Sequence, residues 1–366
     1  MNVNRADPGL SVSPGNGVVT EIGQGRLMGV GSLPHTDCDA AAAFSVGEYD
    51  IATVPSLPNR SAFEGVLAQA AASLPGIEDA AVLNGLERFN GAGSPMPFGV
   101  VRLGNPAADE FKIDVDLDGD AFAGMRAFLD LFEAIGHDGK PVKWQFVGPV
   151  TLGVALHRAG LDVGEAFPLA ARTVRENIVA IREAISTVLP MSDQIVVLDE
   201  PSLTALMSPS FPIAPEEADD FISTAMAAAG DALAGVHCCG PCDIATLLAS
   251  GPKLISVPVH VELLEYAGYL ARFLDDGGLI AWGVVPVDRP VGPSSERYWQ
   301  ALAALWCSLV ERGVDATLLR RNALITPMCG LAGHQVSVAR RLSRIGGEVA
   351  RKVKDQAAAT HFALGA

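Results

Sequence analysis

Short runs rich in Val, Ile, Leu and Ala recur along this chain, each closed by a Gly- or Pro-bearing turn and followed by a longer stretch of helical period. Parallel strands demand such an alternation, because a parallel pair cannot be joined by a tight turn and needs a crossover helix. The runs fall at 27–32, 50–54, 142–146, 194–198, 234–237, 254–257, 279–284 and 323–326. Eight such units predict a closed (β/α)8 TIM barrel built as a single domain. The intervening stretch 165–189 sets Arg172, Arg175, Glu176 and Arg182 opposite an apolar repeat, as an amphipathic helix does. Helices are also expected over 215–232 and 294–313.

One connection breaks the rhythm. Residues 55–140 are too many for one loop and helix, and they include Pro95-Met96-Pro97-Phe98 and the alternating Phe111-Lys112-Ile113-Asp114-Val115-Asp116. The expectation is a hairpin or loop region inserted after the second strand, over the barrel mouth. No internal repeat or low-complexity linker divides the chain. Residues 1–25 read as a loose tail, 26–350 as the barrel and 351–366 as a C-terminal tail. An open doubly wound sheet is the competing architecture, but the first turn, Gly29-Val30-Gly31-Ser32-Leu33-Pro34, puts a proline where a phosphate-binding helix should begin. That argues against a dinucleotide site.

Composition narrows the function. Among 366 residues, 49% are hydrophobic, enough for a large core, and the formal net charge is −16. A surface that tracks nucleic acid needs clustered Lys and Arg to displace counterions, so nucleic acid is not an expected partner. No apolar span approaches roughly 18 residues and the N-terminus lacks an apolar core segment, so neither a membrane span nor a signal peptide is expected. Six cysteines, three of them crowded at Cys238, Cys239 and Cys242, are too few and too uneven for a disulfide scaffold. A reducing cytoplasm is the expected compartment.

Barrel active sites gather at the C-terminal ends of the strands, where Ser32, Asp199, His237, Cys239 and Cys329 all fall. Each has a simpler reading when taken alone: Cys329 as a small buried hydrophobe, His237 as a hydrogen-bonded core imidazole. Together, His237-Cys238-Cys239 at one strand end and Cys329 in a Gly/Pro turn at another offer three soft ligands to one zinc ion. Residues two apart in a strand share a face, so His237 and Cys239 can grip one ion while Cys238 points away. Cys239 and Cys242 also form a C-x-x-C pair suited to zinc or to redox work. Zinc with three protein ligands keeps one position open, and a thiol placed there becomes a nucleophile near neutral pH. In Leu198-Asp199-Glu200-Pro201 a carboxylate at the mouth can bind a substrate ammonium or relay a proton; the alternative is an acid favoured by a helix N-terminus.

These motifs resemble the catalytic C-terminal barrel of cobalamin-independent methionine synthase, within the wider group that includes uroporphyrinogen decarboxylase and corrinoid-linked methyltransferases. The resemblance rests on Val30-Gly31-Ser32-Leu33-Pro34, Gly148-Pro149-Val150-Thr151, Leu198-Asp199-Glu200-Pro201-Ser202-Leu203, His237-Cys238-Cys239 and Thr326-Pro327-Met328-Cys329-Gly330-Leu331. It implies Zn2+ on His237, Cys239 and Cys329, and homocysteine with its carboxylate by the Val30-Gly31-Ser32 backbone and its amine near Asp199, with Glu200 also among the substrate-binding residues. The implied activity is S-methyl transfer, giving methionine, from methyltetrahydrofolate or a methylated corrinoid protein. The chain also departs from the family. The acidic fourth ligand is replaced by Pro258, so that role passes to His260 or Glu262 or is absent. Asp288 stands where the family has a proton-donating His, and Ala155 where it has a Trp that stacks on folate. A catalytically altered zinc-binding homologue and a decarboxylase of the porphyrinogen type are the competing expectations.

Overall fold

The computed structural model describes residues 22–74 and 112–363. Pro95-Met96-Pro97-Phe98, Phe111 and most of the N-terminal tail lie outside the described residues. The strands are β1 (Arg26–Leu27), β2 (Ala52–Thr53), β3 (Val142–Val147), β4 (Gln194–Asp199), β5 (Leu233–His237), β6 (Leu254–Pro258), β7 (Leu279–Val285) and β8 (Ala323–Pro327). They form one 8-stranded sheet in the order β1-β8-β7-β6-β5-β4-β3-β2, and every pairing is parallel. The sheet is curled. Parallel bridges from Met28 to Ile51 and from Ser32 to Ser56 link the chain beyond β1 to that around β2, and Ile51 N donates to Leu27 O at 3.0 Å. The architecture is α/β, with helices between strands, and is consistent with a (β/α)8 barrel.

Both first strands are shorter than their apolar runs. Beyond Leu27 the ladder is interrupted because Gly29 N donates to Thr53 Oγ1, while Thr53 N donates to Ser45 Oγ instead of to a neighbouring strand. Gly31 then turns the chain at φ +145°.

The helices are α1 (Cys38–Glu48), α2 (Val66–Ala71), α3 (Ala123–Ala134), α4 (Pro149–Arg158), α5 (Val163–Val188), α6 (Pro215–Ala227), α7 (Ile244–Ala249), α8 (Ala267–Asp275), α9 (Glu296–Glu311), α10 (Ala316–Arg321) and α11 (Val336–Ala363). Three of them match the helical stretches expected at 165–189, 215–232 and 294–313. Within the expected insertion, residues 112–116 carry no strand; Asp114 N instead donates to Ser73 O at 3.0 Å. α11 runs through the boundary at 350 where a tail was expected, and Val353 on it is fully buried.

Burial separates two layers. Ile195 and Val197 on β4, Leu254 on β6, Leu279 and Ala281 on β7 and Leu324 on β8 form an inner cluster with Ile22, Met28 and Ile51. The alternate residues, among them Val196, Leu198, Ile255, Ile280, Trp282 and Ile325, join the larger cluster between sheet and helices. This is the period-2 division of a sheet covered on both faces. Following the inner face toward the C-terminal strand ends, the apolar residues give way to Asp199, His237 and Ser256.

Candidate metal centre

That change of polarity assembles a site. On β4, Asp199 continues the inward series Ile195 and Val197, and the register sets it beside His237 of β5, which in turn pairs with Ser256 of β6. Cys239 lies two residues beyond His237, and Cys329 two beyond the end of β8. The ligand atoms of His237, Cys239 and Cys329 all lie within 4.8 Å of one another. Among the described residues this is the one such group of three or more His, Cys, Asp or Glu side chains.

The surroundings suit a metal. His237 is 4% exposed, its Nδ1 lies 2.9 Å from Ser256 Oγ, and its Nε2 has no hydrogen-bond partner. Burial, aided by the charge of Lys143, lowers its pKa to about 4, so the ring is neutral and keeps a lone pair to donate. A buried ring nitrogen without a partner is costly, and a bound ion is one way to satisfy it. Cys239 and Cys329 share a thiol hydrogen bond, which makes Cys239 easier to deprotonate and, together with burial, Cys329 harder. Cys238 is fully buried and bonds instead to Cys242, its pKa raised. One imidazole and two thiols with converging donor atoms therefore fit a metal ion.

Beside the trio lies a cavity of about 160 Å³, lined by Val30, Ser32, Gln145, Asp199, His237, Cys239 and Cys329 among others. One water needs roughly 10–15 Å³ of such space, so there is room for a molecule of amino-acid size. Asp199 is buried with Oδ1 unpartnered, and burial pushes its pKa up to about 7 against the opposing charge of Lys143. Two glycines let the walls close. A β-carbon on Gly31 would overlap the Gln145 amide, and one on Gly330 would overlap Ser32 Oγ. Leu331 N also donates to Ser32 O at 2.7 Å, tying the Cys329 turn to the turn after β1.

Not every expected residue joins this group. Glu200 is turned away: its carboxylate accepts from Val150 N at 2.8 Å, Thr151 N at 2.7 Å and Thr151 Oγ1 at 2.6 Å, at the N-terminus of α4. Those bonds occupy both oxygens, so it anchors a helix and leaves Asp199 as the acid facing the cavity. His260 and Glu262 pair with each other, Nδ1 to Oε2 at 3.6 Å, on exposed side chains. They line a separate small pocket with Cys242 and Tyr266. Asp288, its side chain 62% exposed, faces Arg289 Nε at 3.7 Å in another cleft shared with His334 and Arg341.

Three residues here were not expected from the sequence. Ser256 orients His237. Lys143, only 1% exposed, donates through Nζ to Val30 O and, at 2.8 Å, to Gln145 Oε1. Burial lowers its pKa to about 8, with Asp199 opposing. The available signal was a Lys and a Gln two apart inside an apolar strand, where neither belongs unless satisfied. Among the described residues no helix is long and apolar enough to cross a membrane. No model of a known protein family matches the chain, and no curated protein does so either.

Proposed function

We propose that this chain is a zinc-dependent S-methyltransferase that moves a methyl group onto a small thiol, with homocysteine giving methionine, on a closed (β/α)8 barrel. The observation that carries the reading is the convergence of His237, Cys239 and Cys329 at the edge of a cavity of amino-acid size. When bound, zinc would supply the Lewis acidity that brings a thiol's pKa toward neutrality. Ser256 holds the neutral His237 ring with Nε2 free. Asp199 offers an unpartnered carboxylate oxygen to a substrate ammonium. The turns after β1 and β8 line the cavity through Val30, Ser32, Cys329 and Gly330. In the transfer, a sulfur–carbon bond forms as the donor's bond to the methyl group breaks; the pair of the broken bond stays with the donor, and the thiol proton passes to the folate nitrogen that loses the methyl group or, with a corrinoid donor, to solvent. The donor is methyltetrahydrofolate or a methylated corrinoid protein. Six free cysteines accord with a reducing cytoplasm.

A zinc-binding homologue without this catalysis is the second reading, favoured by the placement of Asp288, His260 and Glu262 away from the trio. Zinc content of wild type, His237→Ala and Cys329→Ser, each assayed with a panel of thiols against folate and corrinoid donors, separates the two. Either substitution is expected to weaken zinc binding by at least about tenfold and to abolish transfer. Full zinc retention in both variants would remove the site assignment. Zinc binding by wild type without methyl transfer from any donor would leave the second reading.

A further inference from the structure

The polar wall opposite the metal trio has its own logic. Of the six positions of β3, five are buried and Gln145 alone is partly exposed, and what it is exposed to is the cavity. Its amide cannot turn freely. Lys143 Nζ also donates to Val30 O, which can only accept, so the ammonium is a donor on this side and the oxygen of the Gln145 amide must face it. The reverse orientation would set two donors against each other. The amide nitrogen therefore points the other way, against Gly31, where no β-carbon interferes. One of its N–H groups reaches Val54 O at 3.4 Å. For the other, no acceptor exists among the described residues.

We propose that Gln145 is a substrate-binding residue that selects for a carboxylate: locked by Lys143, its amide presents a free N–H into the cavity, across from Asp199, to the acid group of the thiol substrate. An amide N–H above a buried ammonium is a donor backed by positive charge, so it favours an anionic acceptor over a hydroxyl or an apolar end. Asp199 supplies the opposite preference. The cavity is thus polarised for a small molecule with separate anionic and cationic ends. This inference rests on the proposed thiol substrate, yet it concerns binding alone and is tested without turnover.

The test is calorimetric titration of the zinc-loaded protein with homocysteine, with 3-aminopropanethiol, which is homocysteine without its carboxylate, and with norleucine, which has the carboxylate but no thiol. Gln145→Glu keeps an oxygen for Lys143 and replaces the free N–H by an acceptor of negative charge. Gln145→Met removes both polar ends. Each variant is expected to weaken homocysteine and norleucine by about tenfold or more and 3-aminopropanethiol by less than about twofold, at unchanged zinc content and unchanged circular dichroism. Lys143→Met, which frees the amide to rotate, is expected to follow the same pattern more weakly. Equal loss for 3-aminopropanethiol, or wild-type affinity for homocysteine in Gln145→Glu, overturns the assignment, as does failure of the wild type to bind any of the three. Carboxylate binding that depends on Gln145 in a protein that transfers no methyl group would sustain the inference and sink the proposed reaction.

Discussion

Gly31 carries more of the site than its size suggests. It sits at φ +145° with the Gln145 amide in the space a β-carbon would fill, so an added methyl group meets both backbone strain and a side chain that Lys143 holds in place. Gly31→Ala is expected to cost about 1–3 kcal/mol of stability, measured as a shift in urea midpoint, and to weaken thiol binding. Gly47→Ala on α1 is the control, because nothing lies within 4 Å of its would-be β-carbon; there the change should be neutral or stabilise by up to ~1 kcal/mol. At this scale the grouping of His237 and Cys239 was legible. A His and a Cys two apart at a strand end need only the period of a strand to share a face. The pairing of Lys143 with Val30 was not legible, since the two lie 113 positions apart in sequence.

Among elements, α4 shows how loops and helices are bound to the site. Gly148, before its first turn, has no side chain to cap it, and Glu200, arriving from the end of β4, takes Val150 N and Thr151 N instead. A carboxylate at a helix N-terminus is favoured by the dipole and by donors otherwise left orphaned. Burial nevertheless raises its pKa from 4.5 to about 7. A raised folded pKa means the folded chain holds the proton more tightly than the unfolded one. The contribution to stability is therefore full below pH 4.5 and is lost as pH rises through about 7. Its size is on the order of 3 kcal/mol. Urea titrations of metal-free protein at pH 5 and pH 8 are expected to give a smaller difference for Glu200→Gln than for wild type, since an amide does not ionise. Read from sequence, the Asp-Glu pair places at least one carboxylate at the mouth; the structure shows which one, because adjacent residues along an extended chain project to opposite faces and only Asp199 continues the inner series.

For the whole molecule, the two layers bear unequal loads per residue. The inner cluster is small and closed in by the curled sheet, so a cavity opened there has little to collapse into it. Leu254→Ala is expected to destabilise by about 2–5 kcal/mol in urea unfolding. Met191→Ala, at a side chain 74% exposed, should change stability by less than ~0.5 kcal/mol. The number and order of the eight strands, and the approximate ends of β3 to β8, followed from sequence, because strand period, turn residues and helical period are local properties of a chain; β1 and β2 are each only two residues long, shorter than their apolar runs. So did the three thiol- and imidazole-bearing positions. Tertiary structure alone decided which polar groups meet: that Ser256 holds His237, that Lys143 reaches Val30 and orients Gln145, that Glu200 leaves the site for α4, and that Asp288, His260 and Glu262 stand in other clefts. Those pairings depend on how far the sheet curls and which loops its ends bring together, and the curl arises from all eight strands at once.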